Sequence, residues 1–155
     1  MTLRFTVQGS GVFLYGYADA FHFVYQPMNT SGTIIARVTS AGTGGAYVAA
    51  MIRETLDANA ANMSVGGYVS TSATAGSYYR SFIGGYELTA GSTGLILPYW
   101  LRVTRSANQF TAYARPGWRY MDTRGEHTDH HHGANGLCGI RHSQRQVCDP
   151  EQRHV

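Results

Sequence analysis

A short run near the carboxyl terminus, Asp129 followed by His130, His131 and His132, has the residue types that bind transition metals. Zinc takes imidazole nitrogens and carboxylate oxygens in a tetrahedral arrangement. Adjacent side chains of an extended chain point to alternate sides, so a consecutive run does not form such an arrangement by itself. We therefore predict adventitious metal binding at most, and neither a metal site nor a cofactor.

Cysteine chemistry is confined to the same region, at Cys138 and Cys148. Their separation matches neither a metal motif nor a redox motif. The two side chains could form a disulfide in a secreted chain or remain free thiols, and we favour the second interpretation.

Hydrolysis of glycosidic bonds requires two carboxylates set about 5 to 9 Å apart. The first 113 residues contain four acidic residues, Asp19, Glu54, Asp57 and Glu87. Glu54 and Asp57 are the closest pair in sequence, but no strand carries closely spaced carboxylates. We therefore predict that the chain has no catalytic residues.

A weak ligand-binding set is predicted from outward positions of alternating segments: His22, Arg53, Trp100 and Arg102. Sugar sites combine an aromatic platform with planar hydrogen-bonding groups, and Trp100 with Arg102 fits that description. Such residues are more often solvated surface, or arginine stems that cover apolar area. Arg53 is also the best candidate for a structural ion pair.

The elements that would position these residues are β-strands. Apolar and polar residues alternate with a period of two, as in strands with one buried face. The predicted strands cover residues 3–8, 20–26, 33–39, 47–54, 65–70, 78–83, 99–105 and 109–113. Residues 106–109 predict a hairpin loop, and residues 52–62 a short helix or loop. Repeated short strands with turns indicate an all-β sandwich or barrel.

Bulk composition narrows the class of partner. The chain has 155 residues, enough for one domain, and its formal net charge is +3. No basic run with interleaved aromatics predicts nucleic-acid binding, and no segment is long and apolar enough to span a membrane. The first residues lack an apolar run of signal-peptide length, so the sequence as written predicts a cytoplasmic protein or a fragment of a secreted one.

The character of the chain changes at Ala114. Residues 114–155 contain both cysteines and every histidine except His22, and strand-like alternation stops. We therefore divide the chain into a partial sandwich domain, 1–113, and an irregular tail, 114–155.

Five phrases of the first domain resemble, in order and spacing, the concanavalin A-like lectin/glucanase superfamily, in particular bacterial laminin-G-like modules. They are FTVQGSG (5–11), YADAFHFVYQPM (18–28), GTIIARVTS (32–40), MIRETLDANAAN (51–62) and PYWLRVTRSANQFTAY (98–113). The resemblance implies a two-sheet antiparallel jelly roll that serves as a non-catalytic accessory module of a larger extracellular protein. It implies a polysaccharide or cell-surface glycan as partner. The alternatives are a structural spacer without ligand and a fragment of a glycoside hydrolase. Many relatives bind calcium, but no calcium site is identifiable here.

The tail departs from the family, which continues with Ser-x-Asp-Gly-x-Thr-Trp-Thr, a Thr/Ile strand and Val-Tyr-Val-Gly. When each codon starts one base later, Trp118 must become Gly and Met121 must become Trp. The shifted chain can then read Asp-Gly-Val-Thr-Trp-Thr, and the residues from 129 to 139 can supply both later strands. Our hypothesis is a one-base insertion or deletion near codons 114–116, either a gene lesion or a sequencing error. Loss of the last strands predicts an incomplete sandwich with uncovered Val48 and Ile52, and a marginal or unfolded product.

Overall fold

Ten β-strands make up the regular structure of the described residues. The computed structural model describes residues 4–11, 16–29, 31–42, 46–69, 74–116, 127–131 and 136–143. The strands are β1 His22–Met28, β2 Gly32–Val38, β3 Ala46–Arg53, β4 Asn62–Val69, β5 Thr74–Arg80, β6 Leu88–Gly94, β7 Tyr99–Ser106, β8 Gln109–Arg115, β9 His127–His131 and β10 Gly136–Ser143.

Two antiparallel sheets form a sandwich. The larger has six strands in the order β1-β10-β3-β4-β5-β6, and the smaller has four in the order β2-β7-β8-β9. The all-β class predicted from the alternation is confirmed, and so are the two antiparallel sheets that the resemblance implied. Within the described ranges there is no helix, so none is long and apolar enough to cross a membrane.

The space between the sheets is filled by the apolar positions of alternating strands. Val48, Ala50 and Ile52 of β3 face Leu101 and Val103 of β7 across the core, which continues over β4 and β8. Ile52 is 1% exposed and Leu101 is fully buried. The predicted inward residues of β3 and β7 are therefore the ones that form the core.

β3 is buried on both sides, contrary to the single buried face that alternation predicts. Tyr47, Ala49 and Met51, on the side away from the core, form a second apolar cluster with Phe21 and Phe23. The segment AYVAAMIR is apolar at both parities, which is the pattern of a strand covered on both faces.

Several predicted boundaries are wrong. Residues 4–8 are described but form no strand. The segment from Glu54 to Ala61 is a loop, which is one of the two forms predicted for it. β6 was missed because its residues, LTAGSTG, are small and resemble a turn. The hairpin at 106–109 is correct: β7 ends at Ser106, β8 begins at Gln109, and Ala107 has a φ of 53° between them.

The tail contributes two strands, which an irregular tail did not predict. β10 pairs with β1 on one side and with β3 on the other. β9 pairs with β8 and extends the smaller sheet. The core faces of Val48 and Ile52, expected to be uncovered, are 9% and 1% exposed.

Candidate functional site

The outer side of the four-stranded sheet carries three arginines and two aromatic rings. Since Tyr99, Leu101 and Val103 are buried, the intervening residues of β7 point away from the core. The surface, named here the arginine face, consists of Arg37 on β2, Trp100 and Arg102 on β7, and Tyr113 and Arg115 on β8.

Strand register arranges these residues around the tryptophan. Trp100 lies opposite Arg37 on one neighbouring strand and opposite Arg115 on the other. Arg102, two positions along β7, lies opposite Tyr113. Strands are about 5 Å apart and alternate residues about 7 Å apart along a strand. One indole ring is therefore flanked by three guanidinium groups at neighbouring positions.

Two guanidinium groups stack on rings of this face. The Arg37 Cζ lies 5.9 Å from the centroid of the Trp100 ring, and the Arg102 Cζ lies 4.0 Å from that of Tyr113. Arg37 is exposed, Trp100 and Arg102 are half-buried, and Tyr113 is buried. The attraction between a guanidinium group and the ring beneath it holds the group in place while its outer N–H groups remain able to donate hydrogen bonds.

The arginine face is positively charged. β2, β7 and β8 contain no Asp or Glu, whereas β9, the fourth strand of this sheet, includes Asp129, whose side chain lies outside the described residues. Arg102 and Arg115 make further contacts within the chain. The face thus combines aromatic surface with planar, permanently charged hydrogen-bond donors.

Of the predicted ligand-binding set, Trp100 and Arg102 are together on the arginine face, but His22 and Arg53 are elsewhere. His22 pairs with His142, which pairs with Val48, so His22 lies on the core side of the six-stranded sheet. Its predicted outward position is wrong. Alternation found the two faces of β1 but not which of them points outward.

Arg53 belongs to a buried charge network at one end of the six-stranded sheet. Its Nη1 lies 3.2 Å from Asp19 Oδ2, and its Nε donates to the Thr55 carbonyl at 2.7 Å. Its guanidinium group also covers the rings of Phe21 and Phe23. The predicted structural ion pair of Arg53 is confirmed, with Asp19 as its partner.

Arg80, which sequence reasoning missed, is the centre of that network. It is 0% exposed, and its Nη2 lies 2.7 Å from Asp19 Oδ1 and 3.3 Å from Glu87 Oε2. Arg80 also donates to the carbonyls of Ala60 and Gly85. Only four carboxylates occur before residue 114, a scarcity that could have suggested paired roles for them.

The buried network fixes three loops. Arg80 reaches the loop before β1 through Asp19, the loop after β3 through Ala60 and the loop after β5 through Gly85. Glu87 accepts a hydrogen bond from Asn62 Nδ2 at 3.0 Å. Two of the four carboxylates are therefore occupied by arginines, an arrangement suited to holding loops together.

A second surface, the aromatic face, covers the outer side of the six-stranded sheet. It consists of Phe21, Phe23, Tyr25, Tyr47, Tyr68 and Tyr78. Tyr47 meets Tyr68 edge-on with ring centroids 5.3 Å apart, and Phe23 stacks on Tyr25 at 5.7 Å. Burial, and secondarily the nearby Tyr78 hydroxyl, raises the pKa of Tyr68. These rings pack mainly on one another.

Metal ligands are not gathered among the described side chains. In that part of the chain, no group of three or more His, Cys, Asp or Glu residues could hold a metal ion. The side chains of His130 and His131, and the whole of His132 and Cys148, lie outside the described residues, as does the side chain of Cys138.

Comparisons with known proteins gave no relative for this chain. No protein-family model matches it. No curated protein and no solved structure matches it either.

Proposed function

We propose that the chain is a non-catalytic module that binds polysaccharide, and that the arginine face is its binding surface. The observation that carries this proposal is the pair of stacks, Arg37 on Trp100 and Arg102 on Tyr113, on the outside of a sheet. Guanidinium groups held over aromatic rings keep their outer N–H groups directed for hydrogen bonds to the hydroxyls of a sugar.

The shape of the surface favours a polymer over a small molecule. Small-molecule sites are concave and enclose most of their ligand, whereas the arginine face extends across three adjacent strands. A chain that crosses β2, β7 and β8 meets Arg37, Trp100 and Arg115 in turn.

The positions of the carboxylates support a binding role over hydrolysis. Asp19 and Glu87 are buried against Arg80. Asp57 is on a loop and shares a hydrogen bond with the Thr55 hydroxyl. None of these residues lies on the arginine face. The concanavalin A-like resemblance, with its implied extracellular parent protein, agrees with this proposal.

Affinity gel electrophoresis of the full chain in gels containing neutral or acidic polysaccharides tests the function. We expect retention in at least one gel, and we expect Trp100→Ala to weaken retention at least about tenfold. Trp100→Phe keeps a ring and should retain much of the binding. Phe82→Ala removes an exposed ring on the loop after β5, outside the arginine face. This variant is the matched control and should bind normally.

The remaining outcomes would favour a structural spacer, a binding site elsewhere on the chain, or a glycoside hydrolase. A chain that melts cooperatively but is retained in no gel is a structural spacer. Retention that is unchanged in Trp100→Ala places the site elsewhere. Release of reducing sugar from any of these polysaccharides contradicts the non-catalytic assignment.

A further inference from the structure

We infer that the arginine face selects acidic polysaccharides, those that bear carboxylate or sulfate groups, over neutral ones. This inference rests on the proposed binding function and specifies the class of its ligand. Its basis is the position of Arg37, Arg102 and Arg115 around a single indole ring.

The charged groups of the arginine face are hydrogen-bond donors and not acceptors. A neutral sugar needs donors and acceptors in similar numbers, since each hydroxyl does both. A guanidinium group offers five donors and no acceptor. The outer side of the described strands β2, β7 and β8 has three such groups and no carboxylate. The set matches an anion better than a hydroxyl.

The geometry of the arginine N–H groups also suits an oxyanion. Arginine recognises carboxylate and sulfate-like oxyanions through two parallel N–H groups, and stacking on a ring keeps its fork in one plane. Arg37 is exposed and stacked over Trp100, with its Cζ 5.9 Å from the ring centroid. Its outer N–H groups can receive an oxyanion of a polymer that crosses this face.

The positions of two arginines on either side of Trp100 also favour an anion. Arg37 and Arg115 flank Trp100 from opposite strands, about 10 Å apart by strand spacing. Both groups are permanently charged and attract an anion placed between them. The bound state of an acidic polymer therefore gains electrostatic energy that a neutral polymer does not supply.

The test compares polymers that differ in charge alone. The full chain is run in gels containing polygalacturonic acid or its fully methyl-esterified form, and dextran sulfate or dextran. We expect retention by polygalacturonic acid and dextran sulfate to exceed that by the neutral counterparts at least about tenfold. Retention should fall as sodium chloride rises from 0.05 to about 0.5 M, because salt screens exposed charges.

A matched pair of variants separates a site from a general charge effect. Arg37→Gln and Arg4→Gln each remove one positive charge at an exposed position, but Arg4 lies in the described segment before β1. Arg37→Gln should weaken retention by the acidic polymers about tenfold, and Arg4→Gln should leave it unchanged. Thermal unfolding of both variants should match that of the wild-type chain.

The possible failures are distinct. Equal retention by each acidic polymer and its neutral counterpart, with sensitivity to Trp100→Ala, overturns the acidic selectivity and leaves the proposed function standing. No retention by any polysaccharide overturns both. Equal losses in Arg37→Gln and Arg4→Gln, or stronger retention by a single-stranded oligonucleotide than by polygalacturonic acid, show general polyanion binding and overturn the selectivity.

Discussion

On the outer side of the six-stranded sheet, Tyr47 and Met51 are 2% and 0% exposed and pack against neighbouring rings. On the outer side of the four-stranded sheet, Arg37 is exposed and Trp100 and Arg102 are half-buried. Both surfaces combine arginine with aromatic residues. In the aromatic face the rings pack on one another and bury Tyr47, although Tyr68 is 45% exposed. In the arginine face the rings hold charged groups at the surface.

The same contrast separates the arginines. Arg53 covers Phe21 and Phe23 as Arg37 covers Trp100, but Arg53 is 3% exposed and paired with Asp19. A buried, paired guanidinium group is a structural element, because a ligand would have to displace its partner. The environment of an arginine, more than its stacking on a ring, therefore distinguishes a binding residue from a structural one.

The largest expected effect is at Arg80. Arg80→Met leaves the carboxylates of Asp19 and Glu87 buried without their main partner and should lower the free energy of unfolding by about 4 kcal/mol. Arg102→Met on the arginine face is the control, with an expected loss of less than about 1 kcal/mol. Urea unfolding followed by circular dichroism measures both. Equal losses would erase the distinction between the two kinds of arginine.

Tyr47 tests whether the aromatic face is a second core. Tyr47→Ala removes a buried ring that contacts Tyr68 and Tyr78, and we expect a loss of about 3 kcal/mol. Its retention by polysaccharide, measured well below the unfolding transition, should be unchanged. If Tyr47→Ala instead loses binding and keeps its stability, the aromatic face is the ligand surface.

Gly66 of β4 lies opposite Ala49, on the same side of the sheet as Tyr47, where the backbone of β3 approaches closely. A Cβ there would lie 2.2 Å from the Val48 carbonyl oxygen and 2.3 Å from the Ala49 Cβ. Gly66→Ala should therefore destabilise the chain by about 2 kcal/mol through overpacking. Gly94→Ala adds a Cβ with no heavy atom of another residue within 4 Å and should be nearly neutral. Thermal melts of the two variants provide the comparison.

The smallest expected effect concerns Tyr99, which points into the core beneath the arginine face. Its hydroxyl is buried and has no hydrogen-bond partner among the described residues. Tyr99→Phe should therefore stabilise the chain by about 1 kcal/mol at neutral pH. A loss of stability in this variant would indicate that the hydroxyl has a partner.

The pH dependence of stability gives a second test of the burial of Tyr99. Burial raises the pKa of Tyr99 from 10.0 to about 12. The unfolded chain therefore loses this proton at lower pH than the folded chain, and stability falls as pH rises from 10 to 12. The stability advantage of Tyr99→Phe over the wild-type chain should grow across that interval. A constant difference in unfolding midpoint would contradict the raised pKa.

Period-two alternation predicted β2, β7 and β8 of the four-stranded sheet well and the six-stranded sheet less well. In β7, residues with opposite polarity alternate, so both the strand and its outward Trp100 and Arg102 were predicted. In β3, both parities are apolar, so alternation could not show that Tyr47 and Met51 are covered. The charge network was also hidden, because Asp19 is 61 positions from Arg80 in the sequence.

The strands of the tail could not be predicted from alternation, for a different reason. β9 overlaps the Asp129–His131 run, and β10 begins at Gly136. These are the positions at which the shifted reading frame predicts strands. Sheet pairing uses backbone N–H and C=O groups, so the exposed edges of β3 and β8 can accept strands of unusual composition. The reading-frame hypothesis stays a prediction, which sequencing of the gene across codons 113–123 tests.

The place of β10 between β1 and β3 has a consequence for synthesis on the ribosome. β1 is an edge strand whose neighbour in the sheet is β10, and their paired residues, such as His22 and His142, are separated by most of the chain. Contacts of such long sequence separation form late. A nascent chain that ends before residue 136 therefore exposes the edges of β1 and β3 together, and these are the segments on which chaperones would act during translation.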